Sequence, residues 1–183
     1  MGKANTTDGR KDGIACKATG LTLLRFRGDG PAALHAEAVL GRFARRTGVK
    51  RAALETVAVH REALIGSGSP AEQLDRLRRA VSNLESGRAR QTADIVSQAW
   101  ARADLATLER LGECCDTPAQ TASYDRLLFN RGPGFAERSA VLRDAGRRPF
   151  AAVGILHPVG ANAVQKLLAT RGFTVERIVP GDR

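Results

Sequence analysis

The spacing of apolar side chains predicts that most of this chain is helical. From Pro31 onward the apolar positions recur at helical spacing, as at Leu34, Ala38 and Phe43. Gly48 interrupts the pattern, so a first helix is expected between Pro31 and this glycine.

The most complete helix signal lies between Gly66 and Gly87. Ser69 is a natural N-cap, Pro70 suits the first helical position, and Glu72 stands three residues after Ser69, as a capping box requires. The apolar positions of this segment share one helical face; they are Leu74, Leu77, Val81 and Leu84. A helix is therefore expected from Pro70 to just before Gly87.

Further helical patterns fill the middle of the chain. Residues 90–102 predict a helix with Trp100 facing inward. A short helix follows, which Asp104 can cap and Gly112 can end. Two more helices are expected on either side of a hinge at 132–134, where the sequence is Gly-Pro-Gly.

The pattern changes towards the C-terminus. The apolar run RPFAAVGIL (148–156) is typical of a buried strand, and FTVERIV (173–179) alternates as a second strand. Between them, residues 161–172 are typical of a helix. A further short strand is expected to end at Glu55. The sequence predicts an α/β fold, helix-rich, with a small parallel sheet and a C-terminal βαβ unit.

Composition divides the chain into two parts. Residues 1–30 are rich in Gly, Lys, Asp and Thr and lack helical periodicity, so they are expected to be a disordered or poorly packed lead-in to a domain at 31–183. No apolar run approaches the ~20 residues of a membrane-spanning helix. The chain also lacks the apolar segment of a secretory signal. As it stands, the chain is expected to be cytoplasmic.

The net charge of +10 raises the question of nucleic-acid binding. The first fifty residues carry ten basic and four acidic side chains, whereas the remainder is only mildly basic. Aromatic residues make up 4% of the chain, and no base-stacking motif accompanies the charge. A nucleic-acid partner is therefore unlikely on sequence grounds.

His157 is the first candidate for chemistry, because it follows directly on the predicted strand at 148–156. Ligands and catalytic groups collect at the carboxyl ends of parallel strands. Gly154 permits close approach to the backbone there, and Gly160 opens the following helix. The alternative is a histidine that ends a strand and bonds to a neighbouring loop.

Glu55 and two arginines are the other candidates. If the strand ending at Glu55 joins the same sheet, Glu55 and His157 face one crevice and share a metal or act as base and orienting group. The alternative is a glutamate favoured by a helix dipole. Arg131 and Arg138 lie seven residues apart and can grip a carboxylate or phosphate, unless they belong to a solvated face.

Four blocks of the sequence, which together span roughly residues 35–179, resemble the TraB/GumN family, to which the animal Tiki metalloproteases are similar. The blocks are ALETV (53–57), AWARADLATLERL (99–111), LLFNRGPGFAER (127–138) and FAAVGILHPVGANAVQKLLATRGFTVERI (150–178). The resemblance implies a metal-dependent peptidase domain that uses two GxxH motifs, with acidic and arginine residues between them. Its cofactor is a divalent metal such as Mn, Co or Zn.

The resemblance also implies roles for individual residues. His157 matches the histidine of the second GxxH motif and would be a metal ligand, while Glu55, Arg131 and Arg138 match the family's catalytic-site acid and arginines. The first GxxH motif has no counterpart in the chain, and Gly132 stands where the family usually has asparagine. Family members in bacteria usually carry an export signal, so full-length relatives are expected to be exported or envelope-associated.

Three functions follow as expectations. The first is the C-terminal portion of a TraB/GumN-like domain of metal-dependent peptidase ancestry. As a truncated chain it is expected to have little or no activity. If it is active, its substrate is expected to be a peptide or protein. The second is a non-catalytic helical interaction or regulatory module, and the third a nucleic-acid binder. A sheet without its early strands also predicts self-association through an exposed edge.

Overall fold

The computed structural model describes residues 36–66, 69–113, 115 and 117–179, and regular structure in these ranges is helical. The predicted lead-in at 1–30 lies outside them. The helices are α1 (Ala36–Thr47), α2 (Val57–Ile65), α3 (Pro70–Glu85), α4 (Arg88–Ala101), α5 (Leu105–Gly112), α6 (Pro118–Leu127), α7 (Gly132–Asp144) and α8 (Val164–Ala169); a 3-10 turn covers Phe129–Arg131.

Side-chain caps fix where several helices begin. The capping box predicted for α3 is confirmed, since the Ser69 hydroxyl accepts from the Glu72 backbone N–H (3.3 Å) and the Glu72 carboxylate accepts from the Ser69 N–H (2.5 Å). Asp104 caps α5 as predicted, accepting from the Thr107 N–H at 3.0 Å. Thr56 caps α2 in the same way. These local hydrogen bonds satisfy backbone donors that the first turn of a helix leaves free.

The predicted parallel sheet is wrong, because the described residues contain no strand. The two apolar segments of the expected βαβ unit, 148–156 and 173–179, form neither a ladder with each other nor one with residues 49–55. A strand needs a neighbour to bond its backbone and cover its side chains, and Phe150 and Ile178 are instead 82% and 74% exposed. Self-association through a sheet edge has no structural basis in this part of the chain.

The core joins the C-terminal segment to the middle helices. Ala99 of α4, Leu108 of α5 and Val159 form its buried centre, and partly buried apolar side chains pack around it, namely Val96, Leu105, Ile155 and Leu156. Val159 is the one large side chain of the described residues that is fully buried. Trp100, predicted to face inward, is 66% exposed. Ile155, Leu156 and Val159 thus contribute to the core from a turn and bend rather than from a strand.

Helix α7 packs closely against α8. It begins at Gly132 with Pro133 in its first turn, so the predicted break at this sequence is a helix start after the 3-10 turn. A Cβ added at Gly132 would lie 2.6 Å from the backbone oxygen of Asn162. Only glycine therefore permits this approach, which brings α7 against the segment that carries His157.

No helix in the described part of the chain has the length and apolar character needed to cross a membrane.

Candidate functional site

The candidate site is built around the carboxylate of Glu55, which precedes helix α2. Thr56 is the N-cap of α2, so Glu55 lies one residue outside the helix and belongs neither to a strand end nor to the first helical turn. Its side chain is 15% exposed. The position directs a largely buried carboxylate towards the turn between α6 and α7.

Arg131 binds this carboxylate with both arms of its guanidinium. Its Nε donates to Glu55 Oε2 at 2.9 Å, and its Nη2 donates to Glu55 Oε1 at 2.5 Å. The third nitrogen, Nη1, donates to the carbonyl oxygen of Leu127 at 3.0 Å, which holds the guanidinium against the end of α6. Two parallel charge-assisted bonds are the strongest pairing that arginine makes with a carboxylate.

His60 is the second partner of Glu55, although its place in the sequence indicated no role for it. Its Nδ1 lies 2.7 Å from Glu55 Oε1. An ionised carboxylate only accepts hydrogen bonds, so His60 Nδ1 is the donor. Glu55 is the residue before the N-cap and His60 is the fourth residue of α2, the two positions whose side chains meet in a hydrophobic staple. That spacing is the sequence signal that would have identified the contact.

The surroundings of Glu55 keep it ionised. Burial raises the pKa of this carboxyl, but the hydrogen bonds from Arg131 and His60, together with their charges, outweigh burial and lower the pKa below its ordinary value of 4.5. A carboxylate with a lowered pKa and both oxygens engaged is a weak base. The arrangement favours a structural ion pair over proton transfer.

His157 lies in the same region, in the segment between α7 and α8. It is 7% exposed, its backbone N–H donates to Gly154 at 2.9 Å, and its carbonyl accepts from Val164 at 3.1 Å. Its ring meets the Phe135 ring edge-on, with centroids 5.0 Å apart, and the Arg131 guanidinium lies 5.2 Å from the centre of the same Phe135 ring. Phe135 therefore connects His157 to the ion pair.

The imidazole of His157 is neutral at pH 7. Burial lowers its pKa most, the positive charge of Arg131 lowers it further, and the hydrogen bond to the Leu128 backbone and the charge of Glu55 oppose this only in part. The ring nitrogen Nδ1 is buried and has no hydrogen-bond partner. In the tautomer whose other nitrogen donates to the Leu128 backbone, Nδ1 carries an unused lone pair.

Arg138 does not join this arrangement. It lies on the exposed side of α7, whereas Glu55, Arg131, Phe135 and His157 form a connected set of contacts. Of the residues that the sequence singled out, the fold thus brings three together and leaves Arg138 on a solvated face.

The Glu55–Arg131 pair adjoins a surface cleft of about 490 Å³ between α2 and α6. One wall is formed by α2, with the small side chains of Ala58 and Ala63 and the carboxylate of Glu62, and the other side is polar, with Arg126 and Asn130. Arg131 also lines the cleft, so the ion pair lies next to solvent without being open to it.

A divalent metal does not fit the residues that the structure describes. Among them, no three His, Cys, Asp or Glu side chains gather as a ligand group, and a metal needs three or four convergent donors. Both oxygens of Glu55 already bind Arg131, and the same guanidinium places a positive charge near His157. Of Glu55 and His157, the histidine is the one that keeps a ring nitrogen without a hydrogen-bond partner.

Comparison with known proteins identifies a relationship over most of the chain. The sequence model of the TraB/PrgY/gumN family matches residues 14–177. The chain matches none of the curated proteins and none of the solved structures.

Proposed function

The chain belongs to the TraB/PrgY/gumN family, and from this premise we propose that it is a domain of metal-dependent peptidase ancestry with little or no hydrolytic activity. Glu55, Arg131 and His157 are the residues in which this ancestry survives. Their present role is to join α2, the turn before α7 and the segment before α8 into one unit.

The unused lone pair of His157 supports the ancestry. A buried polar atom without a partner costs about 1–3 kcal/mol, and packing alone gives no reason to keep a histidine there. His157 is 7% exposed and its ring lies edge-on to Phe135, so an apolar side chain would fill this place without the unpaired nitrogen, at the loss of the hydrogen bond to the Leu128 backbone. A position inherited from a metal ligand accounts for the retained nitrogen.

The observation that carries the proposed loss of activity is that both oxygens of Glu55 are already hydrogen-bonded. Three hydrogen bonds, two from Arg131 and one from His60, occupy its carboxylate. Metal binding or proton abstraction by Glu55 would first have to break the charge-assisted pair, whose side chains are only 12% and 15% exposed. The ion pair therefore competes directly with catalysis.

The test is a peptide-cleavage assay of the full chain with added Mn²⁺, Co²⁺ or Zn²⁺. We expect wild type and His157→Ala to release product at the same rate, equal to the rate without protein. Calorimetric titration with each metal should likewise give no difference between the two proteins. Metal-dependent turnover that a chelator stops and His157→Ala abolishes would refute the proposed inactivity.

A second candidate, a non-catalytic interaction module, is favoured by one observation. Large apolar side chains stand exposed at separate places of the described chain: Val57 is 85%, Phe150 82% and Ile178 74% exposed. Burying such side chains against a partner would remove apolar area from water, which favours association. A stable partner whose binding survives both His157→Ala and chelators, but not Phe150→Ser with Ile178→Ser, would favour this function; equal binding by all these variants would speak against it.

A further inference from the structure

Helix α1 combines exposed apolar side chains with exposed basic ones. Val39 is 43% and Phe43 50% exposed, and Val49 just beyond the helix is 57% exposed. Arg42 and Arg46 are exposed as well. The helical residues of this set lie at positions i, i+3, i+4 and i+7, so they form one continuous surface.

The other side of α1 is less available. Ala44 is 9% exposed, and Gly41 is covered by arginines, with guanidinium nitrogens of Arg45 and Arg51 each 3.7 Å from where a Cβ would stand. Among the described helices, none makes an extensive contact with α1. The exposed apolar strip, defined here as Val39 and Phe43, is therefore not covered by another described helix, and the exposed Val49 follows it in the chain.

The charge around this strip is strongly one-sided. Residues 36–51 contain five basic side chains, Arg42, Arg45, Arg46, Lys50 and Arg51, against a single acidic one. A helix with an apolar strip flanked by arginines matches a surface that is anionic outside and apolar beneath. Long arginine side chains keep their charged heads in the polar layer while their stems extend along the apolar one.

We propose that α1 binds the surface of an anionic phospholipid membrane, lying in the plane of the interface with the apolar strip inserted and Arg42 and Arg46 at the headgroups. Nucleic acid would satisfy the charges equally well. It would leave Val39, Phe43 and Val49 in water, however, since it offers them no apolar layer. The exposed apolar strip thus decides between the two polyanions in favour of the membrane.

The experiment is vesicle co-sedimentation of the full chain. Vesicles of one part phosphatidylglycerol to two parts phosphatidylcholine are compared with pure phosphatidylcholine, at low and physiological salt. We expect binding to the anionic vesicles only, and binding that weakens as salt screens the headgroups. Equal binding to both vesicle types, or binding to neither, would overturn the proposal.

Paired variants separate the two contributions. Arg42→Gln with Arg46→Gln should reduce partitioning roughly 30-fold, because each basic side chain near an anionic surface contributes about fivefold. Arg78→Gln with Arg90→Gln removes the same charge from exposed positions of α3 and α4. That control should retain most of the binding, and an equal loss in both double variants would reduce the effect to net charge and refute a role for α1.

The apolar strip has its own matched pair. Phe43→Ser should weaken partitioning about fivefold, since half of its side chain is available for insertion. Trp100→Ser, which removes a more exposed aromatic side chain from α4, should leave partitioning unchanged. Unchanged vesicle partitioning of Phe43→Ser would reject membrane insertion of the strip. Duplex DNA binding that depends on Arg42 and Arg46, without binding to vesicles, would favour nucleic acid instead. Circular dichroism of each variant confirms that helicity is retained.

Discussion

Replacing Arg131 with methionine tests whether the ion pair at the candidate site stabilises the fold. The change removes two hydrogen bonds to Glu55 and one to the Leu127 carbonyl, while keeping a side chain that can still pack on Phe135. It leaves the Glu55 carboxylate largely buried, with His60 as its remaining partner. The variant should therefore be less stable than wild type at neutral pH.

The size of the effect follows from the burial of the pair. Removing one partner costs about 3–5 kcal/mol for a fully buried pair and about 0–1 kcal/mol for an exposed one. Because the two side chains are 12% and 15% exposed, we expect the free energy of unfolding to fall by about 2–3 kcal/mol. For a chain of this length that corresponds to a Tm lower by roughly 4–12 °C.

The assay is a double-mutant cycle by thermal and urea unfolding at pH 7. It compares Arg131→Met, Glu55→Gln and the double variant. The double variant should be more stable than the sum of the single losses predicts, by about 1 kcal/mol or more. Additive losses, within about 0.5 kcal/mol, would refute a direct stabilising interaction between the two side chains.

A control is available in the exposed pair of α3. Arg79 pairs with Asp75 one helical turn away, and their side chains are 38% and 57% exposed. Arg79→Met removes the same charge and should change the free energy of unfolding by no more than about 0.5 kcal/mol. A loss as large as that of Arg131→Met would show that overall charge, and not the buried pair, sets the stability.

Three further predictions concern packing and pH. Gly132→Ala should destabilise the fold by about 2 kcal/mol, because its Cβ would meet the Asn162 carbonyl. Gly134→Ala has open space around it and should instead stabilise the same helix by about 0.5–1 kcal/mol. Urea unfolding measures both free energies. Because the pKa of His157 is lower in the folded than in the unfolded chain, the free energy of unfolding falls as the pH drops from 6.5 through the folded-state pKa. A plot of Tm against pH should therefore be flatter for His157→Gln than for wild type in that window. The lowered pKa of Glu55 contributes stability that is fully present above pH 4.5 and is lost as the pH falls through the folded-state pKa. On acidification below pH 4.5, Glu55→Gln should therefore lose less stability than wild type.

Local signals in the sequence predicted local structure well. Ser69 and Glu72 specify the start of α3 within four residues, and Asp104 specifies the start of α5 by one side-chain bond. Each of these devices acts between residues of one helical turn. Nothing distant is needed to form them, so the sequence alone is sufficient to place these helix starts.

The failure of the predicted sheet has the opposite cause. The runs at 148–156 and 173–179 have the composition of strands, but a ladder forms only when distant segments supply partners. Within the described residues they find none, and Phe150 and Ile178 stay exposed. Trp100 shows the same limit for a helix, since its periodicity did not determine which face a neighbour would cover.

Three of the residues that lie together here were singled out from the sequence, but their contacts were not predicted. Sequence position and resemblance to a family singled out Glu55, Arg131 and His157, but they also included Arg138, which the structure places on a solvated face. Sequence position could not indicate that Arg131 pairs with Glu55, nor that His60 joins them. A pairing between residues 76 apart depends on how three helices pack, and no local pattern encodes it.

That separation of 76 residues has a consequence for the order in which the molecule folds. The prominent contacts of α3 with α4, α4 with α5 and α7 with α8 join consecutive helices and close short loops. The Glu55–Arg131 pair closes a long one, at a greater entropic cost. It should therefore form after the folding transition state, so that Arg131→Met accelerates unfolding and leaves the folding rate nearly unchanged. Glu55 and Arg131 would then slow unfolding of the native state without taking part in its formation.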